Sequence, residues 1–201
     1  MVNSEWVFPA LVVVGYLLGA IPFGVVFAKW SGTSDPRTAG SQNIGFTNVL
    51  RVSGKRVGLL TLLGDVGKGW IIGWLAQRSL QQEGLILLAG LSPILGHLYS
   101  VFLRFSGGKG VATAFGVVFG IAPAIGLTLL AVWLVCLAVW RYSALSAIVA
   151  FGAFPGVSAL YGESWLFVGF AVVVGGLVIV RHRRNLARLW AGTEDRVGSR
   201  S

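Results

Sequence analysis

A chain of 201 residues that is 55% hydrophobic and only 11% charged, with a mean hydropathy of +0.80, lacks the polar side chains to cover a soluble surface. Lipid must serve as part of its solvent. Sixteen Lys and Arg against seven Asp and Glu leave a formal charge of +9, which in a membrane protein marks cytoplasmic loops rather than a nucleic-acid partner. Cys136, the only cysteine, lies in an apolar run, which excludes a disulfide framework and a Cys-based metal centre and leaves the thiol as a small hydrophobe.

The first ionisable side chain is Glu5 and the first cation Lys29, so the apolar start has no basic leader and reads as a retained span rather than a cleaved signal. Residues 6–28 are uncharged and bracketed by Trp6 and Trp30, which predicts a first spanning helix, kinked at Pro22. From Ser31 to Arg56 the chain is rich in Gly, Ser and Thr and carries Arg37, Arg51, Lys55 and Arg56. It reads as a loop, and the positive-inside tendency puts it in the cytoplasm with the N-terminus outside. The second span, residues 57–76, carries Asp65 and Lys68 on one helical face; at membrane depth the two are expected to neutralise each other inside the bundle. Arg78 and Glu83 lie in an outer loop, and the third span, residues 85–105, holds Pro93 and His97.

Residues 111–140 fit one long tilted helix or two short ones broken at Ala122-Pro123. Parity selects two. One pass would put Arg141 and the later tail cations Arg181, Arg183, Arg184, Arg188, Arg196 and Arg200 outside, whereas two passes put them inside with Lys109. The spans 111–121 and 124–140, the first shielded by neighbouring helices, are followed by 143–161 and 165–180 and a cytoplasmic tail, 181–201. The expectation is a single all-α integral membrane domain, 1–201, of seven transmembrane helices, N-terminus outside and C-terminus cytoplasmic. The 29 glycines permit close helix approach.

Three segments assigned to the cytoplasmic side combine small residues with fixed cations: Gly40 to Arg51, with Ser41, Asn43, Thr47 and Asn48; Ser106-Gly107-Gly108-Lys109-Gly110; and Arg181-His182-Arg183-Arg184-Asn185. Glycine lets backbone N–H groups approach an oxyanion, Ser and Asn donate further hydrogen bonds, and Arg or Lys supplies counter-charge. The glycine-lysine run also opens a helix, whose N-terminus favours an anion. An arginine run beside a membrane equally suits anionic-lipid anchoring, but that reading leaves Asn43, Thr47, Asn48 and Arg51 unexplained. A Walker loop is excluded by Leu103 and Gly110, which stand where Gly and Ser or Thr are required. The His-Asp pattern of soluble and monotopic glycerolipid acyltransferases is excluded by Phe102 and Ala187, five residues after the two histidines. No nucleophile elbow and no carboxylate–His pair is visible. A small organophosphate or anion transporter is the alternative, disfavoured because all three cationic segments are assigned to one side.

In order, Asp35-Pro36-Arg37-Thr38-Ala39-Gly40-Ser41 with Asn43, Gly45, Thr47-Asn48 and Arg51, then Gly96-His97 through Gly107-Gly108-Lys109-Gly110-Val111-Ala112-Thr113, then Arg181-His182 with Asn185 and Arg188-Leu189-Trp190 resemble the bacterial acyl-phosphate:glycerol-3-phosphate acyltransferase family (PlsY), over essentially the whole chain. The resemblance implies a seven-span enzyme of the bacterial cytoplasmic (inner) membrane, its active site facing the cytoplasm. It would move a fatty acyl group from acyl phosphate to the 1-hydroxyl of glycerol 3-phosphate, giving lysophosphatidic acid and phosphate, the first step of phospholipid biosynthesis. Its partners would be the two substrates and membrane lipid, with no cofactor and no metal. Ser41, Arg51, Lys109, His182 and Asn185 fall where the family binds phosphate. Ser41, His97 and Lys109 are the catalytic candidates, and Asn43, Thr47, Asn48, Gly107 and Gly108 complete the substrate-binding set. Gln42, Phe46 and Ser100 replace the family's usual Gly, Ala and Pro, and Ala144 falls where the family has a serine, so that either Ser143 or Ser146 substitutes or that contact is lost. Because acyl phosphate carries a good leaving group, the protein has to hold two anions together and stabilise developing charge; a phosphate oxygen is expected to take the hydroxyl proton, with His97 or His182 as alternative bases.

Overall fold

The computed structural model describes residues 4–198, and among them the secondary structure is entirely helical. Nine α-helices follow in order: α1 (Ser4–Ala20), α2 (Phe23–Trp30), α3 (Phe46–Ser79), α4 (Glu83–Leu98), α5 (Val111–Ile121), α6 (Pro123–Trp140), α7 (Ser143–Leu160), α8 (Trp165–Arg181) and α9 (Arg183–Trp190). They form two compact units, one of α1–α5 and one of α6–α9. Four helices are long and apolar enough to cross a membrane, and up to six spans result if the bent pairs α1–α2 (45°) and α8–α9 (58°) each count as one; α5 is a shorter apolar helix.

In the first unit, the break between α1 and α2 falls at Pro22, where the sequence places it, because proline has no N–H to give and disfavours helix at the residue before it. That takes the helical partners from the carbonyls of Ala20 and Ile21, the second of which accepts from Phe23 N–H at 3.1 Å along the backbone, at a depth where water is scarce. Ser100 Oγ donates to the carbonyl of Ala20, and Lys68 Nζ to that of Ile21 at 3.0 Å. Ser100 therefore does something that the family's usual proline has no donor to do. The contact between α1 and α4 is built on small residues: a Cβ on Gly19 would strike the backbone of Pro93, and one on Gly96 the carbonyl of Tyr16. Gly69 and Gly73 of α3 face Gly116 and Gly120 of α5 in the same way, two small-xxx-small stripes that bring the helix backbones together. Thr113, Ala114, Phe115, Gly116, Val117, Val118 and Gly120 are all buried, so α5 is shielded by protein, as a helix of 11 residues, about 16 Å long, has to be where the hydrocarbon is about 30 Å thick.

Two expectations are corrected. The loop read as 31–56 is helical from Phe46 onward, interrupted only at Gly54, whose φ of +86° turns the chain so that Leu50 lies back on Gly58. Polar composition hid this turn of helix, whose buried Val49 packs with Ala28 and Val57. The third span does not run as helix to Phe105: α4 stops at Leu98 and a single 3-10 turn follows, Val101–Leu103. Arg104 and Phe105 then take left-handed backbone, φ +52° and +61°, while the chain doubles back to bond the last carbonyls of α4.

In the second unit, α7 and α8 interlock through edge-to-face contacts among Phe151, Phe154, Phe167 and Phe170, a geometry that adds to area burial. After α9 the chain folds back: Val197 N–H donates to the carbonyl of Arg141 at 2.7 Å, and Arg141 Nη2 returns a bond to the carbonyl of Val197 at 2.9 Å. Arg200 lies outside the described residues.

Candidate active site

In the first unit, the loop before α3 is organised by one side chain. Asn48, buried in the first turn of α3, accepts from the N–H of Ser41 at 2.8 Å, and its amide nitrogen faces the carbonyls of Pro36 (2.9 Å), Ala39 (3.1 Å) and Asn43 (2.9 Å). With two hydrogens for three carbonyls, that side chain is fully engaged. Its place is to hold the loop, and it is not turned to a ligand. The loop's curvature needs left-handed backbone at Gly40 (φ +59°) and Gln42 (φ +58°); the second value explains why glycine suits that position and why Gln42 is a costly departure. At the loop's entry, Arg37 grips the Asp35 carboxylate with Nε at 3.0 Å and Nη2 at 2.6 Å. This guanidinium holds the Asp35 carboxyl below the usual carboxylate range, and the carboxylate in turn raises Arg37. On this frame Ser41 and Arg51 are exposed, Arg51 one turn beyond Asn48 on the same helical face, and Asn43 and Thr47 are half-buried.

The glycine-lysine loop is built differently. Gly107 N–H donates to the carbonyl of Leu98 at 3.1 Å and Gly108 N–H to that of His97 at 3.0 Å, so these donors satisfy the C-terminus of α4. The need for glycine is steric: a Cβ on Gly107 would strike the His97 carbonyl, and one on Gly108 would strike His97 Nε2. Gly110 (φ +80°) then turns the chain into α5, leaving Lys109 half-buried between two glycines. Thr113, in the first turn of α5, has a buried hydroxyl with no hydrogen-bond partner among the described residues.

Behind this loop lies a polar cluster. Lys68 and Asp65 pair at 2.8 Å, as their spacing predicts, with side chains 1% and 2% exposed. The structure adds what the sequence conceals: His97 Nδ1 lies 3.5 Å from Asp65 Oδ1, a carboxylate–His contact between groups more than thirty positions apart. Lys68 also stands over the ring of Phe23, 5.5 Å from its centroid.

In the second unit, His182 is buried at the junction of α8 and α9, and its Nδ1 donates to the carbonyl of Val178 at 2.8 Å. Since a carbonyl only accepts, Nδ1 carries the hydrogen, which in the neutral ring leaves Nε2 as acceptor. Asn185 donates to Glu194 Oε1 at 2.6 Å and Arg188 Nε to Glu194 Oε2 at 2.7 Å. Glu194 was missed from sequence, although an acid in an arginine-rich tail was a signal. Arg196 reaches Tyr142 Oη at 3.1 Å, while Arg183 and Arg184 are exposed. At the position of the family serine, Ala144 is buried, and Ser146 donates to the carbonyl of Tyr142 at 2.9 Å at the start of the same helix. Among the described residues no three His, Cys, Asp or Glu side chains group as metal ligands.

Comparison with known proteins shows the family. A relative from Bordetella pertussis, named glycerol-3-phosphate acyltransferase, is 48% identical over 200 residues, covering 95% of this chain and 92% of its own. One of the same name from Laribacter hongkongensis is 45% identical, covering 95% and 96%. The crystal structure of PlsY (YgiH), an integral membrane glycerol 3-phosphate acyltransferase, in its glycerol 3-phosphate form, matches with a TM-score of 0.91 at 42% identity, covering 95% of this chain and 96% of that one. Its lysophosphatidic acid form matches with a TM-score of 0.89 at 41% identity, covering 95% of each. The family model described as glycerol-3-phosphate acyltransferase spans residues 9–192, and the chain belongs to that family.

Proposed function

We propose that this glycerol-3-phosphate acyltransferase takes its acyl group from acyl phosphate and places it on the 1-hydroxyl of glycerol 3-phosphate, at the cytoplasmic face of a bacterial inner membrane. The observation that carries the reading is the whole-length likeness to a structure known in glycerol 3-phosphate and lysophosphatidic acid forms, because those two molecules differ by one acyl group and so define acceptor and product. The topology we infer has seven passes, outside to inside: the bent pair α1–α2, then α3, α4, α5, α6, α7 and α8, with α9 in the cytoplasmic tail. The exposure of Arg51 and Ser41 and the cations beside α8 and α9 support that orientation.

In the reaction, the acceptor oxygen bonds to the acyl carbon, the bond to the phosphate oxygen breaks, and inorganic phosphate leaves. Arg51 and Lys109 neutralise the phosphates and steady the charge that develops on the acyl and leaving oxygens. The Ser41 hydroxyl, Asn43 and Thr47 supply neutral donors, with Asn48 holding that loop in shape; His182 and Asn185 are the proposed binding groups of the second unit. The hydroxyl proton passes to a phosphate oxygen of the bound substrates. Purified protein, radiolabelled glycerol 3-phosphate and synthetic acyl phosphate test the reading. Labelled lysophosphatidate is expected with acyl phosphate and not with acyl-CoA; product formation that needs acyl-CoA overturns the donor assignment.

A further inference from the structure

We propose that Asp65 and Lys68 are positioning residues that act through His97 to set the place of the Gly107–Lys109 loop. The proposal rests on the acyltransferase reading above. Four contacts form a continuous buried chain: the Ile21 carbonyl to Lys68 Nζ at 3.0 Å, Lys68 Nζ to Asp65 Oδ1 at 2.8 Å, Asp65 Oδ1 to His97 Nδ1 at 3.5 Å, and His97 to Gly108 through a backbone bond of 3.0 Å and a ring edge that fills the place of a Gly108 Cβ. It thus runs from the break in the first span to the residue beside Lys109. His97 is 4% exposed, and its Nε2 occupies the space where a Gly108 side chain would stand, so the ring meets the loop rather than a substrate hydroxyl.

Stability alone does not account for the cluster. Two buried charges are expensive, and apolar residues of similar volume usually serve a helix contact as well or better. What an ion pair provides and leucine does not is direction: Asp65 fixes the tilt of the imidazole, and the imidazole edge fixes how closely Gly108, and hence Lys109, approaches α4. Displacement of a substrate-holding group by about 1 Å is enough to cost a large factor in rate or binding. Lys68, tied to the broken first span, makes the position of that break part of the loop's geometry.

The test uses full-length protein in lipid nanodiscs, with wild type as reference: if wild type forms no lysophosphatidate, the acyltransferase reading has failed, and if it does, the variants judge this inference. Asp65→Asn/Lys68→Met removes both charges together. It is expected to raise the KM for at least one phosphorylated substrate about tenfold while kcat falls less than about threefold. His97→Ala is expected to do the same, and the triple variant to show the same rise of about tenfold rather than about a hundredfold, because groups acting in one chain are not additive. An unchanged KM in the paired variant, or rises that multiply in the triple variant, overturns the proposal. Gly108→Ala gives a check that does not depend on how the charge variants fold: its methyl meets His97 Nε2, so its raised KM is expected to recover at least about fivefold when His97→Ala is added. Absence of that recovery contradicts the role given to the His97 ring.

Discussion

The loop before α3 and the loop before α5 are both rich in small residues and each lies near a cation, Arg51 in the first turns of α3 and Lys109 just before α5, yet they hold their shape by opposite means. The first is tied by a side chain: Asn48 reaches into the turn and engages Ser41, Pro36, Ala39 and Asn43. The second is tied by its own backbone, its glycine N–H groups satisfying the end of α4. In both, the groups that a sequence reading assigns to an oxyanion, an Asn amide and two glycine amides, are used internally. The side chains we propose for the substrate from these two loops and the start of α3 are Ser41, Asn43, Thr47, Arg51 and Lys109. Glycine here marks where the chain lies close to its own helices, and the proposed chemistry rests on the cation near it.

Substitution separates these two layers. The largest effect is expected at the cations: Arg51→Lys should lower kcat/KM about a hundredfold, since a point charge does not reproduce two-donor contact with a phosphate, in an initial-rate assay that leaves thermal stability unchanged. If the frame itself carried the function, Arg51→Lys would be mild. Next come the ties. Asn48→Ala should destabilise the fold by about 3 kcal/mol, because a buried side chain serving four backbone groups is removed and several are left unsatisfied, read as a lower Tm of the purified protein. Gly107→Ala should cost about 2 kcal/mol by steric conflict with the His97 carbonyl, and a Tm equal to wild type would break the claim that its glycine is steric. Smaller still, Gln42→Gly should stabilise by at most about 1 kcal/mol, the relief of left-handed backbone being partly offset by the freer unfolded chain.

The smallest effect is set by pH. The Asp35 carboxyl is lowered by Arg37, so its contribution is complete above the ordinary carboxylate range and is lost as pH falls through the folded-state value. For a pair this exposed the loss is about 0.5 kcal/mol, developing only below about pH 4, and Asp35→Asn should abolish it. Arg196→Lys, distant in role from the anion-handling cations, is expected to leave turnover within about twofold of wild type.

Much of this was legible in the chain because it follows from local chemistry. The break at Pro22, the breaker at Ala122-Pro123 and the pairing of Asp65 with Lys68 depend on residues near one another, and the structure carries each of them. What stayed hidden depends on distant partners or on a residue's alternative use. Phe46–Ser53 reads as loop because its apolar content is a few residues, of which Val49 packs against the distant Ala28 and Val57, with Phe27 beside them. The contact of Asp65 with His97 needs α3 and α4 to be packed before it exists. Ser100, noted only as a departure from a family pattern, proved to be the cap on the Ala20 carbonyl, a role visible only once the first helix is seen to break.

Following the phosphate itself tests the central claim most directly. With acyl phosphate radiolabelled in its phosphorus and unlabelled glycerol 3-phosphate, the account predicts that all label appears as inorganic phosphate, one equivalent for each lysophosphatidate formed, and none in the lipid. Label in a water-soluble glycerol bisphosphate, with the acyl group released as free fatty acid, would mean that a phosphoryl group moves instead of the acyl group, and would contradict the assignment of Arg51 and Lys109 to a departing phosphate.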